Sequence, residues 1–170
     1  MFSYDSLKKI LFKFDPETAH NIAEYGLRVL GKCKIAKAYM EKKNYISNPK
    51  LTQEIFGVRF ENPVGLAAGF DKNATMIKSM KSLGFGFTEI GTMTPKPQDG
   101  YPKPRMFRYP ELKSVQNAMG FNNKGAHEVL KNLKKVYPFS IPVGANIGKN
   151  KFTPEEFALS DYKSLIKKFE

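Results

Sequence analysis

Leu7, Ile10, Leu11 and Phe14 recur at helical spacing with Lys8, Lys9 and Lys13 between them, which predicts a short amphipathic helix with a basic face. Asp15-Pro16 restarts the chain, because aspartate at an N-cap accepts from free amides and proline fixes the first helical φ without wasting a donor. Ala19, Ile22, Ala23, Leu27 and Leu30 then share one stripe, which Gly31 ends. Residues 1–45 therefore read as a small helical domain built on two amphipathic helices. Next, LTQEIFGVRFENP sets two short β-prone runs around Gly57, a hairpin leading into a strand at 64–68. Beyond it the period alternates: a helix around Ala74–Leu83, a strand at 87–91, a helix around Lys124–Tyr137, a strand at 141–148. Ala126, Val129, Leu130, Leu133 and Tyr137 give the second of these helices one apolar face. Strand-helix alternation predicts an α/β fold with a parallel sheet covered by helices. Thr153-Pro154-Glu155-Glu156 reads as a capping box opening a last helix, with Tyr162, Leu165, Ile166 and Phe169 as its buried stripe.

TPKPQDGYPKPRMFRYPELKSVQNAMGFNN separates the second of these strands from the next helix and carries five prolines between Pro95 and Pro110. Connections in α/β domains have a median of about 4–6 residues, so a loop of this length after a strand's C-terminal end marks a functional segment. Three core strands are too few to close a barrel, and the chain reads as the N-terminal part of a longer protein.

Composition narrows the class. At 170 residues, 41% hydrophobic with 14 Phe and 8 Tyr, the chain can fill a sizeable core. A net charge of +12 favours anionic partners. Its lysines are spread along the chain, without an arginine-rich arm or a nucleic-acid-reading motif, so a solvated basic surface is favoured and no nucleic acid is expected. Cys33 is the sole cysteine, which excludes an intrachain disulfide and a cysteine-rich zinc site, and no metal is expected. No apolar run approaches the roughly 20 residues of a membrane span, so any membrane contact lies on the surface.

Chemistry concentrates after the first strand of that alternation, in NPVGLAAGFDKNA at 62–74. Ala67, Ala68 and Gly69 leave backbone that a flat ligand can approach, and Asp71-Lys72 follow at the rim. On the residues alone the same stretch reads first as a small-residue packing site beside a helix, with a solvent lysine. Thr92 and Asn146 end the second and third of these strands, where either can be structural. His20 can be a satisfied helix histidine, and Arg108 a loop salt-bridge partner.

DPETAH, NPVGLAAGFDKNA, GFGFTEIGTMTPKPQDGYPKPRMFR, NAMGFNNKG and GANIGKNKFTPEE, in this order, resemble the class 2, quinone-linked dihydroorotate dehydrogenases over essentially all 170 residues. The resemblance implies an FMN-dependent (β/α)8 TIM barrel, incomplete in this chain, preceded by the helical domain at 1–45 and the β-hairpin, with residues 46–170 as the first part of the barrel. It implies oxidation of (S)-dihydroorotate to orotate in de novo pyrimidine (UMP) biosynthesis, with electrons passed to a membrane quinone by a protein held peripherally on the cytoplasmic side of the cell membrane. By the same resemblance Ala68, Gly69, Phe70, Asp71 and Lys72 line the flavin with Thr92 and Asn146, and Lys72 also reaches the substrate carboxylate. Asn117, Ala118, Met119, Gly120 and Phe121 form the substrate segment, with Ala118 standing where many relatives carry arginine. His20 and Arg108 line a quinone tunnel framed by the helices. No segment matches the family's serine-bearing loop or its phosphate-binding loops, so the catalytic base is expected beyond residue 170 and the isolated chain is expected to hold flavin poorly and turn nothing over. Two rivals stay open. A soluble flavin barrel using fumarate or a nicotinamide acceptor leaves the helix pair unexplained, and a non-catalytic basic module binding membrane or nucleic acid leaves the motifs unexplained.

Overall fold

The computed structural model describes residues 4–170, so the first three positions of the predicted helical domain lie outside the described residues. The N-terminal region holds α1 (Tyr4–Leu11), α2 (Pro16–Leu30) and α3 (Lys34–Asn44). Asp15 caps α2 as expected, its Oδ1 accepting from Thr18 N at 3.0 Å. Helix α2 buries Ala19 and packs Leu27 against Met76 and Met80, while Ser79 Oγ donates to the Leu27 carbonyl. The third helix lacks a clear apolar stripe and buries no residue. Polar bonds fasten it instead: Lys81 Nζ lies 2.7 Å from Glu41 Oε1, and Asn44 Nδ2 donates to Ser82 O at 3.0 Å. Among the described residues no helix is long and apolar enough to cross a membrane.

The chain then runs through β1 (Gln53–Ile55), β2 (Val58–Phe60), β3 (Gly65–Leu66), α4 (Ile77–Met80), β4 (Phe87–Met93), β5 (Met106–Tyr109), β6 (Ser114–Asn117), α5 (Gly125–Lys134), β7 (Val143–Ile147) and α6 (Ala158–Phe169). Strands β1 and β2 form the predicted hairpin, its turn made by Phe56 and Gly57 at φ 53° and 73°, the left-handed pair that suits tight hairpins. The central sheet is β3-β4-β7, all parallel and in chain order.

Several expectations need correction. Strand β3 pairs over two residues only, because Ala67 and Ala68 leave the ladder as the chain swings toward β4. Helix α4 begins at Ile77 rather than Ala74: Ala74 takes φ 57°, and the turn wraps Asp71, whose carboxylate accepts from Thr75 N at 2.8 Å and Met76 N at 2.9 Å. The proline-rich stretch is not all loop, since β5 and β6 pair antiparallel within it from Met106↔Asn117 to Tyr109↔Ser114. The capping box does not form. Thr153 Oγ donates to Asp161 Oδ2 at 2.8 Å, a 3₁₀ turn spans Glu155–Phe157, and α6 starts only afterwards.

Helices α5 and α6 cover one face of the sheet. Ile90 and Met93 of β4 pack with Val129, Leu133 and Leu165, whereas Tyr137, beyond the end of α5, is exposed. Of the predicted stripe of α6 only Leu165 and Phe169 face this core, while Tyr162 and Ile166 are exposed. Leu165 is fully buried among these side chains, so Leu165→Ala is expected to cost about 2–5 kcal/mol by transfer plus cavity, read as a lowered denaturation midpoint. The opposite face of β4 and β7 carries Glu89, Thr92, Gly144 and Asn146 and stays clear of this core.

Candidate functional site

Strand β4 holds one residue more than β7 between the Ile90↔Ala145 and Met93↔Ile147 pairs, a bulge of the kind that re-aims side chains next to active sites. Gly91 lies in it at φ 105°. Its N–H donates to Asp71 O at 3.1 Å and its carbonyl accepts from Gly69 N at 2.7 Å. A Cβ there would stand 2.4 Å from Asn146 O, so only glycine lets the tips of β3, β4 and β7 close together.

Above these tips opens a cleft of about 550 Å³. Ala68 and Gly69 make its floor, and a Cβ built on Gly69 would meet no atom within 4 Å, so the backbone borders open space. Thr92 and Asn146 stand at one edge. Thr92 Oγ donates to Asn146 Oδ1 at 2.5 Å and Asn146 Nδ2 donates to Glu89 Oε1 at 2.8 Å, a chain that fixes which way the amide points. Lys72, half-buried at the rim, donates from Nζ to Gly69 O at 2.7 Å and makes no ion pair among the described residues. Burial holds its ammonium below the ordinary lysine range, with the Glu17 and Glu24 carboxylates pulling the other way. Facing the floor are Asn117 at the end of β6 and Met119, Gly120 and Phe121 on the strap that continues from it, together with Met106 of β5. The arrangement suits a flat, anionic ligand: an apolar floor without side-chain bulk, oriented amides at the edge and an unpaired cation.

The cleft thus gathers residues from three predicted segments, at 68–72, 92 with 146, and 117–121. Three positions of those segments do not line it with side chains. Phe70 packs toward Met76, Met80 and Ile141 and meets the His20 ring edge-on at 4.8 Å. Asp71 is buried in its cap, where the loss of water raises its pKa against the hydrogen bonds that lower it. Ala118 is exposed and donates its N–H to Arg105 O at 2.8 Å. His20 is half-buried, and burial together with Lys72 depresses its pKa. Arg108 donates from Nη1 to Phe14 O at 3.3 Å and stacks 4.1 Å over the Phe12 ring, joining β5 to the segment after α1.

Sequence reasoning missed Met106, Glu89 and the pair Glu17–Arg105. Glu89 was within reach, since it alternates with the buried Thr88 and Ile90 and so faces away from the helices. Met106 was hidden by reading its segment as loop. Glu17 and Arg105 lie 88 residues apart in the chain, yet bond through Arg105 Nη2–Glu17 Oε1 at 2.7 Å and Nε–Oε2 at 3.2 Å, with Lys103 Nζ 3.2 Å from the same Oε1. The Arg105 bond holds the Glu17 carboxyl below the ordinary glutamate range, with burial opposing. A carboxyl shifted down contributes stability above its unfolded pKa and loses it as pH falls through the folded one. Melting temperatures of the parent and Glu17→Gln are therefore expected to differ at neutral pH and converge in acid.

A family model described as dihydroorotate dehydrogenase matches residues 50–170. Over 169 residues the chain is 58% identical to a dihydroorotate dehydrogenase (quinone) of Sulfurovum sp. (strain NBC37-1), covering 99% of this chain and 48% of that protein. It is 57% identical over 167 residues to the protein of the same name from Sulfurimonas denitrificans, covering 98% of this chain and 47% of the relative. The chain thus spans about half the length of the curated relatives it matches. Among solved structures, DHODH from Eimeria tenella in complex with ferulenol superposes with a TM-score of 0.73 at 40% identity, over 91% of this chain and 40% of that one.

Proposed function

The chain belongs to the dihydroorotate dehydrogenase family, and from that premise we propose that the complete protein oxidises (S)-dihydroorotate to orotate in pyrimidine biosynthesis and delivers the electrons through FMN to a membrane quinone. One observation carries the reading: a single cleft joins the Ala68–Gly69 floor, the unpaired Lys72 ammonium, the Thr92–Asn146 pair and the 117–121 strap.

These residues fit FMN. The floor offers backbone without a Cβ at Gly69, bordering open space, and the oriented Asn146 amide presents polar atoms at the edge. When bound, FMN accepts the substrate hydride. The chain's own residues bind and orient. The Lys72 ammonium holds the substrate carboxylate and stabilises negative charge gathering on the ring system, with more force in a half-buried cleft than in water. Asn117, with Met119, Gly120 and Phe121, closes over the substrate, while the exposed Ala118 side chain takes no part in the cleft. Phe70 and Asp71 serve the flavin segment by bracing it, since their side chains pack away from the cleft. The general base belongs to the same proposal as a serine beyond residue 170.

Residues 1–45 act as the membrane-facing quinone domain, with His20 and Arg108 along the quinone path. Residues 46–170 supply the first three parallel strands of an eight-stranded barrel. Peripheral attachment on the cytoplasmic side belongs to the same proposal, and the apolar face of α1, where Leu7 and Ile10 are each 50% exposed, supports the attachment.

Anaerobic dihydroorotate is expected to bleach the flavin absorbance of the complete enzyme, and a quinone analogue to restore it faster than fumarate or a nicotinamide. Flavin that stays oxidised under dihydroorotate overturns the reading; faster reoxidation by fumarate or nicotinamide moves the protein to the soluble rival.

A further inference from the structure

Arg105 is a buried cation, 8% exposed, whose hydrogen bonds reach three separate segments. Its fork grips both oxygens of Glu17 on α2. Its Nη1 donates to the carbonyls of Asp99 at 2.5 Å and Tyr101 at 2.8 Å, and its own carbonyl accepts from Ala118 N at 2.8 Å. The loop it grips is bonded in turn to the strap. Tyr101 N donates to Met119 O at 3.2 Å, and Gln98 Nε2 donates to Gly120 O at 3.0 Å. Gly100 makes the close approach possible, since a Cβ there would lie 2.0 Å from Met119 O. The strap over the cleft is therefore tied to the 98–105 loop, and the loop is tied to Glu17 through the Arg105 guanidinium, with Lys103 Nζ 3.2 Å from the same carboxylate and Gln98 held separately by Asn123 and Asn150.

We propose that Glu17 and Arg105 form a positioning pair that sets the height of the 117–121 strap above the cleft floor, and thereby how tightly the anionic ring substrate is held. The proposal rests on the dihydroorotate reading given above. Its physical basis is the cost of half a pair: removing the Glu17 charge leaves a buried guanidinium without its counter-ion, and the loop must shift to admit water. The Asp99 and Tyr101 carbonyls follow the guanidinium, and the strap follows them. A planar fork is required, because a lysine ammonium can reach one Glu17 oxygen but cannot also span both carbonyls.

Two variants of the complete, flavin-loaded enzyme test this. In Glu17→Gln and in Arg105→Lys, KM for dihydroorotate and the Kd of orotate, read from the flavin absorbance shift, are expected to rise about tenfold with kcat changed less than threefold. Hydrogen exchange in the peptide spanning 117–121 is expected to quicken, while reoxidation of reduced enzyme by a quinone analogue stays within twofold. Unchanged KM and unchanged exchange in either variant that folds overturns the proposal. Equal losses in flavin reduction and reoxidation make the pair a general brace and overturn it too. The exchange measurement needs no turnover, so if the parent enzyme does not respond to dihydroorotate the functional reading fails while the strap's dependence on Glu17 is still decided.

Discussion

Replacing Lys72 with alanine in the complete enzyme is expected to slow flavin reduction by dihydroorotate about 10³-fold, the loss that follows when one preorganised charge is removed from a partly dry site. Lys72 is a cation of the cleft rim whose Nζ donates to the Gly69 carbonyl and pairs with no carboxylate among the described residues, so an incoming carboxylate displaces no salt bridge. The flavin is expected to stay bound, because its floor is backbone. Stopped-flow absorbance separates the two effects. A reduction rate within tenfold of the parent would remove Lys72 from its role. Burial adds a pH signature. The ammonium is the active form and burial holds its pKa below the ordinary lysine range, so the reduction rate falls as pH rises through that lowered value. Lys72→Met is expected to lose this alkaline limb along with the rate.

The elements that sequence reasoning placed well are those governed by one local rule. Asp15-Pro16 announces α2 by cap chemistry alone, and Phe56-Gly57 turns its hairpin wherever it sits. Parallel order followed from alternation, since β3, β4 and β7 are separated by helical segments. The failures have two causes: side-chain hydrogen bonds overruled a backbone pattern, and proline density masked another. Ala74 and Thr75 have good helical neighbours, yet the Asp71 carboxylate takes the Thr75 and Met76 amides first and delays α4. Thr153 has capping-box spacing, yet its hydroxyl goes to Asp161. Proline density concealed β5 and β6, which pair over the four residues between Met106 and Tyr109, a stretch the prolines border but do not enter. In the cleft, the motif segments fixed most lining positions, because close backbone approach leaves a mark in small residues. The Glu17–Arg105 bond leaves no such mark: a carboxylate and a guanidinium 88 residues apart look like any two surface charges until the chain is folded.

Removing residues 1–14, and nothing more, is expected to cut reduction of a quinone embedded in vesicles by about 10²–10³-fold while leaving flavin reduction by dihydroorotate within about twofold. The boundary matters. A deletion through residue 45 would also take Glu17, and with it the anchor of the strap, so loss of quinone activity and loss of substrate grip would be confounded. Cutting before Asp15 preserves the cap of α2, the Glu17–Arg105 bond and the His20–Phe70 contact. What disappears is α1 and the turn after it, where Leu7, Ile10, Phe12 and Phe14 are each 41–50% exposed, together with the Phe14 carbonyl and Phe12 ring that hold Arg108. Four half-exposed apolar side chains entering a membrane interface gain roughly 1 kcal/mol each, about 3–4 kcal/mol in sum, which is a factor of about 10²–10³ in membrane affinity. A water-soluble quinone analogue at saturating concentration bypasses that partition, so the shortened enzyme is expected to recover the partition share of its rate with it, and any loss that remains reports the release of Arg108 on the quinone path. If vesicle-bound quinone is reduced at the parent rate after this cut, the exposed face of α1 is not the membrane contact, and the quinone must arrive from another side.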